Sequence, residues 1–186
     1  MKNFLTALRL FLVMVILTGI LYPLAVMAIA HFCFPHKADG SMMIVDGKVK
    51  GSELVGQKYV SGRYFWGRPS AIDYHPMPSG ASNLGPTSMA LREAVKQRRS
   101  QFAGTDTLSV PVDLLFASAS GVDPHISPEA ARLQIDRVVK ARGFSTDQKE
   151  KLVNLVERSI EPPQWGIFGE SRVNVFLLNL KLDRLN

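Results

Sequence analysis

The sequence predicts a domain of mixed helices and strands (α/β or α+β) outside the cytoplasm, anchored by one N-terminal transmembrane helix. Residues 10–30 form an apolar run without a charged residue, and no second run in the 186 residues approaches its length. The remainder of the chain combines helix-capping patterns with short apolar runs that are typical of strands. These observations indicate one anchor followed by one domain of about 150 residues, which is long enough to bury a core.

Residues 10–30 have the length and composition of a membrane-spanning helix. About 20 residues, at about 1.5 Å each, cross a hydrocarbon core of about 30 Å. Pro23 lies inside the run, and membrane helices tolerate proline where the freed carbonyl finds another partner. Thr18 and Gly19 are small enough to let a neighbouring helix approach closely. We therefore expect Thr18, Gly19 and Pro23 to be packing positions within the membrane.

The flanking charges predict the orientation of the chain. Lys2 and Arg9 precede the run, and no acidic residue lies among residues 1–30. The positive-inside rule then predicts a short cytoplasmic N-terminus (1–9), a transmembrane helix (10–34) and an extracytoplasmic domain (35–186).

A cleaved signal peptide is the alternative reading of the same run. Residues 28–30 (Ala-Ile-Ala) are similar to a cleavage site, and cleavage would release a periplasmic ligand-binding protein or enzyme. The apolar run is longer than the usual signal-peptide core of 7–15 residues, which favours a retained anchor.

Composition argues against two classes of function. The 22 basic and 16 acidic residues give a formal net charge of +6, and these charges are dispersed along the chain. Dispersed charge outside the cytoplasm is a poor match for nucleic-acid binding. Cys33 is the single cysteine, so the chain holds neither an internal disulfide nor a cysteine metal centre.

The first part of the outer domain is predicted to be a hairpin followed by ordered loops. Asp46-Gly47 between apolar residues predicts a β-hairpin over residues 44–49. Residues 51–86 contain too many glycines, prolines and serines for long helices. Their aromatic residues argue against a disordered linker: Tyr59, Tyr64, Phe65, Trp66 and Tyr74.

Three helices are predicted from capping signals. The first covers about residues 88–102. The second follows Ser127 as N-cap, starts at Pro128 and stops at Gly143. The third opens with a capping-box pattern at residues 145–148.

Two strands are predicted from apolar runs. Residues 108–116 contain Pro111, which indicates an edge strand or a bulge. Residues 173–180 are apolar at nearly every position, which suits a strand buried on both faces.

No pattern in the chain predicts catalysis or nucleotide binding. It contains no GxxxxGK[ST] loop and no GxGxxG fingerprint. Residues 117–121 are only superficially similar to the GxSxG elbow, because neither Ser118 nor Ser120 has glycine two residues before and two residues after it. We expect Ser118 and Ser120 to form turns and caps.

The segment 123–125 (Asp-Pro-His) suggests a metal or acid–base site, but the spacing offers no set of converging ligands. We expect Asp113, Asp123 and His125 to fix loops by hydrogen bonds to backbone amides. No catalytic residue, metal site or bound cofactor is predicted.

Arg63 and Arg68 lie among aromatic residues. Such a mixture can stack on a ligand or on a partner's aromatic side chain, or it can form a structural corner. Because tyrosine, tryptophan and arginine are enriched in interface cores, a protein interface is the more economical interpretation. The residues alone thus predict an anchored accessory subunit.

Four blocks of the sequence together resemble a known family. They are GSELVGQ (51–57), YFWGRPSA with SGASNLGP (64–71 and 79–86), VPVD to ASASGVDPHIS (110–127), and GESRVNV continuing to Asp183. These blocks are similar to the C subunits (KdpC) of the bacterial high-affinity potassium-transporting ATPase, the Kdp complex. The family usually has glycine at Ala81 and Ala119 and commonly threonine at Phe116, which affects local loop geometry only.

The resemblance implies a non-catalytic subunit of a P-type ATPase complex for potassium uptake in the bacterial inner membrane. The implied partners are a channel-like potassium-binding subunit, a P-type ATPase subunit and a small single-helix subunit, besides membrane lipid. ATP and potassium are used by the complex. The family's C subunit is described as a catalytic chaperone that raises the ATP affinity of the pump subunit, so nucleotide binding is an expectation of the resemblance.

We expect a role in assembly and coupling, with loops 51–86 and 117–127 docking on the outer face of the potassium-binding subunit. A potassium filter built from Asp113 and Asp123 is a further alternative, but the positive net charge and the lack of a carboxylate ring argue against it. The candidate docking residues are Gln57, Tyr64, Phe65, Arg68, Pro69, Ser79, Asn83, Ser118, Ser120, Asp123 and His125.

Overall fold

The computed structural model describes residues 2–102 and 110–185. Contacts divide the chain into two compact units, Met1–Ser52 and Glu53–Asn186. Helices and strands occur together, as the sequence predicts.

The first unit begins with a continuous apolar helix. It comprises α1 (Lys2–Ile16), a wide π-helical turn (Leu17–Leu21) and α2 (Tyr22–Cys33). With 32 residues it is long and apolar enough to cross a membrane. No other helix in the described ranges meets this condition. It begins before the predicted segment 10–34 and ends one residue earlier, and a short helix, α3 (Pro35–Ala38), follows.

The wide turn lies directly before Pro23. Proline has no N–H, and in a regular helix its ring would crowd the carbonyl of Gly19, four residues earlier. In the wide turn the Tyr22 N–H donates instead to the carbonyl of Leu17, five residues earlier. Turns of this kind interrupt α-helices locally and are common at functional sites.

A β-hairpin completes the first unit and confirms the Asp-Gly prediction. Strands β1 (Met42–Val45) and β2 (Lys48–Ser52) are antiparallel, with Val45 opposite Lys48. Asp46 and Gly47 have φ values of 52° and 71°. Left-handed conformations at both central residues are what the favoured two-residue hairpin turn requires.

The second unit packs helices around a small antiparallel sheet with strand order β3-β5-β4. Its elements are α4 (Met89–Ser100), α5 (Val112–Leu115), β3 (His125–Ile126), α6 (Pro128–Arg142), α7 (Thr146–Arg158), β4 (Ile160–Glu161), β5 (Arg172–Asn174) and α8 (Val175–Leu182). The largest wholly buried side chains are Phe65, Phe176, Leu152, Leu178 and Leu182. Between β2 and α4 the chain contains turns and irregular segments only.

The three helices predicted from capping signals are confirmed. The Ser127 hydroxyl accepts a hydrogen bond from the Ala130 N–H, and α6 ends at Gly143 with φ 69°. Ser145 and Gln148 form both hydrogen bonds of the predicted capping box of α7. Ser88 caps α4. Local capping chemistry thus fixes where these helices begin and end.

The strand predicted over residues 173–180 is wrong beyond its first two residues. The chain leaves β5 at Asn174, whose side chain accepts a hydrogen bond from the Leu177 N–H and so caps α8. A short apolar run buried on all sides fits a strand or a helix equally well, because burial removes the periodicity that separates them. The N-cap hydrogen bond of Asn174 favours the helix over a strand.

The strand predicted over residues 108–116 is also wrong where the structure describes it. Val112–Leu115 form one helical turn, in which the Phe116 N–H donates to the Val112 carbonyl. Pro111 precedes this turn in an extended conformation, with ψ 145°. A proline can start a helix as readily as it ends a strand, and residues 108–109 lie outside the described ranges.

Buried polar side chains hold the aromatic segment 62–66 in place. The Asn179 amide donates to the carbonyl of Phe65 and accepts from its N–H, at 3.0 and 2.9 Å. The Gln134 amide does the same for Trp66, at 3.1 and 2.8 Å. The Arg137 guanidinium lies 3.7 Å from the centre of the Trp66 ring and donates to the carbonyls of residues 62 and 64.

We predict that Gln134→Leu destabilises the protein by about 1–3 kcal/mol, because it leaves the half-buried N–H and C=O of Trp66 without their Gln134 partners. Urea unfolding of the full chain in detergent, followed by tryptophan fluorescence, measures this loss. Gln97→Leu, on an exposed face of α4, is the control and should change stability by less than about 0.5 kcal/mol. Equal effects of the two substitutions would show that the hydrogen bonds between Gln134 and Trp66 do not contribute to stability.

Candidate docking surface

The two loop segments that the sequence predicted to dock lie against each other. The Gly56 N–H donates to the Val122 carbonyl at 2.7 Å, and the Ser118 N–H donates to the Pro69 carbonyl at 3.0 Å. The Ser120 carbonyl accepts from the Ser79 hydroxyl at 2.8 Å and from the Gly80 N–H at 3.2 Å. Within the second unit, residues 56–80 and 118–122 of these loops therefore form one hydrogen-bonded surface.

Two glycines permit this close approach. A Cβ on Gly56 would lie 2.6 Å from the Asp123 carbonyl oxygen. Gly121 has φ 73°, and a Cβ there would lie 2.9 Å from the Gly80 carbonyl oxygen while overlapping Ile72. Side chains larger than hydrogen do not fit at either position without a shift of backbone. Sequence reasoning missed these two residues because their role depends on a distant segment.

Arg68, Asp123 and His125 form the charged centre of the surface. An Arg68 Nη1–H donates to Asp123 Oδ2 at 3.2 Å, and Asp123 Oδ1 accepts from the His125 backbone N–H at 3.0 Å. The His125 ring nitrogen Nδ1 lies 3.5 Å from the same Oδ1. Burial alone would raise the pKa of Asp123, but the hydrogen bonds from His125 and the charge and hydrogen bond of Arg68 together hold that pKa below its usual value.

Two further side chains support this centre. Tyr74 donates its hydroxyl hydrogen to the Arg68 carbonyl at 2.5 Å. Burial, together with the charges of Asp123 and Asp73, raises the pKa of Tyr74 to about 12, so the phenol stays a neutral donor. Asp113 accepts from the N–H and hydroxyl of Ser127 at 2.6 and 3.2 Å. The predicted loop-fixing hydrogen bonds of Asp113 and Asp123 are confirmed.

An open groove of about 750 Å³ runs beside this centre. Its walls carry both signs of charge and are shared between the loops, the N-terminus of α6 and the start of β5. The charged and titratable lining residues are Arg68, Asp113, Asp123, His125, Glu129, Glu170 and Arg172. Within residues 2–102 and 110–185, no cluster of three or more metal-ligating side chains is found.

The candidate docking residues fall into three groups by exposure. Ser79 and Asn83 are exposed, and Gln57, Pro69 and Ser120 are half-buried. Phe65 and Ser118 are buried, at 0% and 2% exposed, so in this structure their side chains are not part of the exposed surface. The Phe65 side chain belongs to the hydrophobic core, and the Ser118 N–H joins the two loops.

Tyr64 lies in a different setting from the charged centre. Its hydroxyl donates to Asp183 at 3.3 Å, and its ring lies 5.0 Å from the Arg142 guanidinium. Arg142, with a side chain only 3% exposed, also pairs with Asp183 at 2.7 Å. Tyr64 therefore closes a structural corner, which was the alternative interpretation of the arginine-aromatic segment.

Sequence reasoning also missed the residues that position the aromatic segment. Gln134 shares one face of α6 with Ala131, Ile135 and Val138, all of them buried. A polar residue on an otherwise apolar helix face was the available signal, because a buried amide must find hydrogen-bond partners.

The fold and this surface define a membrane-associated chain with one apolar N-terminal helix and a folded second unit that presents loops. The sequence model of the family described as "KdpC: K+-transporting ATPase, c chain" matches residues 4–184. The chain is 49% identical over 192 residues to the potassium-transporting ATPase KdpC subunit of Polaromonas naphthalenivorans, covering 100% of this chain and 96% of that protein.

Two further relatives with the same name agree. The Sorangium cellulosum protein is 50% identical over 183 residues, with 95% of each chain covered. The Leptospira interrogans protein is 46% identical over 179 residues, covering 95% of this chain and 91% of that protein. This chain belongs to the KdpC family of potassium-transporting ATPase subunits.

We predict that Asp123→Asn destabilises the protein by about 1–3 kcal/mol at pH 7. The substitution removes the charge of a carboxylate that accepts hydrogen bonds from the Arg68 guanidinium and the His125 backbone N–H. Because the folded-state pKa is lowered, the carboxylate's contribution is complete above the unfolded pKa of about 4 and is lost as pH falls through the folded pKa. Thermal unfolding at pH 7 and pH 3 measures the difference in stability between wild type and variant. This difference should be smaller at pH 3.

The matched control is Asp136→Asn. The Asp136 side chain is 82% exposed and pairs with Lys149 at 2.7 Å. Exposed pairs contribute about 0–1 kcal/mol. If the stability difference between wild type and Asp123→Asn stays constant from pH 7 to pH 3, the assigned role of the carboxylate is contradicted.

Proposed function

We propose that this chain is the assembly and coupling subunit of an ATP-driven potassium-uptake complex. The observation that carries the proposal is the hydrogen-bonded union of loops 51–86 and 117–127 into one ordered surface. These loops contain most of the positions that resemble the family's motifs. In the proposal this surface docks on the outer face of the potassium-binding subunit and links it to the P-type ATPase subunit.

The apolar helix of the first unit packs against membrane helices of the complex in this proposal. Nothing lies within 4 Å of the Cβ position at Gly19, so that side of the wide turn is open to a neighbour. The Thr18 hydroxyl donates to the Met14 carbonyl at 2.7 Å, so it is already satisfied within the helix. Small size is thus the property that Thr18 and Gly19 offer to a packed partner, next to the widening before Pro23.

The proposed location is the bacterial inner membrane, with residues 1–9 in the cytoplasm and residues 35–186 outside. Lys2 and Arg9 support this orientation under the positive-inside rule. The partners are the potassium-binding subunit, the P-type ATPase subunit, the small single-helix subunit and surrounding lipid.

ATP and potassium are bound by the other subunits in this proposal. The chain has no GxxxxGK[ST] phosphate loop. The groove beside the charged centre contains four carboxylates, and Asp123 already pairs with Arg68. A groove with this excess of negative charge repels a polyphosphate.

We predict that a chain lacking residues 40–186 but keeping the anchor fails to support assembly, because the docking surface is removed. Co-purification with a tagged potassium-binding subunit and potassium uptake by cells measure this, and both should fall to near background. Normal assembly and uptake with the anchor alone would refute the docking proposal.

A surface variant sharpens the same experiment. Ser82→Arg places a bulky charge beside Asn83 on loop 51–86 and should reduce co-purification. Asn154→Arg, on the exposed side of α7, is the matched control and should leave co-purification unchanged.

We predict no saturable ATP binding by the purified full-length chain in detergent at ATP concentrations up to about 1 mM, which corresponds to a binding free energy of about −4 kcal/mol. Isothermal titration calorimetry measures this, with the complete complex as positive control. Tight, saturable heat with the isolated chain would support the chaperone description and refute our assignment of ATP to the other subunits.

A further inference from the structure

An exposed apolar hairpin tip projects from the second unit at Gln164–Phe168. The Gln164 N–H donates to the Phe168 carbonyl at 2.9 Å, and the Phe168 N–H donates back to the Gln164 carbonyl at 3.0 Å. Trp165, Ile167 and Phe168 are 89%, 78% and 60% exposed. Adjacent apolar side chains at this exposure mark an interaction site rather than ordinary surface.

The tip is held in one shape. The Gly166 N–H donates to the Pro163 carbonyl at 2.9 Å. The Trp165 and Phe168 rings meet edge to face with centroids 6.0 Å apart. Trp165 has φ 54°, a conformation that residues with bulky side chains rarely adopt. A strained backbone that presents a tryptophan to solvent points to a function for that side chain.

The charges around the tip favour a protein occupant over lipid. The stem of the tip consists of the paired strands β4 and β5. Glu161 and Arg172 pair across this stem at 3.0 Å, and Glu170 follows the tip. Apolar segments that bind anionic lipid are flanked by lysine and arginine, whereas this stem has no basic excess. Tryptophan with a polar rim is typical of the central contacts of protein interfaces.

The stem also connects the tip to the proposed docking surface. Glu170 and Arg172 line the groove that Arg68, Asp123 and His125 border. A partner seated on that groove would therefore extend along the same stem to the tip.

We propose that the 164–168 tip inserts into an apolar pocket of a neighbouring subunit of the same ATPase, with Trp165 as the central contact. The proposal rests on the proposed docking function and adds a specific anchor to it. A lipid surface or a second copy of this chain is the competing occupant.

Site-specific photo-crosslinking in the intact complex identifies the occupant. A photoreactive phenylalanine derivative at position 165 should form an adduct with another subunit, identified by mass spectrometry. The same probe at position 83 reports on the docking surface, and the probe at Met89, which is 71% exposed on α4, is the matched control. The yield at 165 should exceed that at 89 by about tenfold.

The outcomes separate the two proposals. Adducts with another subunit at 83 but with lipid, a second copy or nothing at 165 would overturn the role of the tip and leave docking intact. No subunit adduct at either position would overturn both.

Loss of the side chain provides an independent measurement. Trp165→Ala should lower retention of this chain in the detergent-solubilised complex by about tenfold or more, the scale of an interface hot spot, while Met89→Ala has no effect. The thermal midpoint of the isolated variant should stay unchanged, because the Trp165 side chain is almost wholly exposed. Retention equal to that of wild type would overturn the proposal.

Discussion

The hydrogen bonds that buried side-chain amides make to Phe65 and Trp66 are the constraint on which the second unit depends. Phe65 and Trp66 lie in a segment without regular secondary structure, so their backbone groups need partners from outside the segment. Asn179 from α8 satisfies both groups of Phe65, and Gln134 from α6 satisfies both groups of Trp66. The two amides therefore replace the neighbouring strands that a sheet would supply, and they join α6 to α8 through the segment. Without them, burying this backbone would be unfavourable.

These amide hydrogen bonds of Asn179 and Gln134, which act as a clamp on Phe65 and Trp66, also order the surface loops. Phe65 enters the core while Arg137 covers the Trp66 ring, so the chain leaves the clamp at Gly67 in a fixed direction. Arg68 and Pro69 follow at once and meet Asp123 and Ser118 of the second loop. The loops are thus ordered by a buried network beneath them, which explains how a segment without regular secondary structure presents a defined surface.

The sequence predicted what local chemistry determines. Ser127, Pro128 and Gly143 bound α6, and Asp46-Gly47 form the hairpin turn, because each signal acts within a few residues. The start of α8 was missed since the run after Asn174 is apolar on every side, and the cap at Asn174 carries the only local information. The docking candidates were predicted as loops but not as one surface: the contacts of Gly56 with residues 122–123, and the burial of Phe65 and Ser118, depend on segments distant in sequence. No local pattern encodes such contacts.

The membrane anchor explains why a polar surface of mixed charge suits the proposed function. In the proposed function, a membrane tether confines the second unit to the neighbourhood of its partner and raises its effective concentration to about the millimolar range. Docking then requires little intrinsic affinity, so a groove that carries both signs of charge can supply orientation, and the free subunit stays soluble before assembly. In the proposed arrangement a small apolar tip provides the desolvated contact that such a groove lacks. A larger apolar surface would not be needed, and it would expose the free subunit to aggregation.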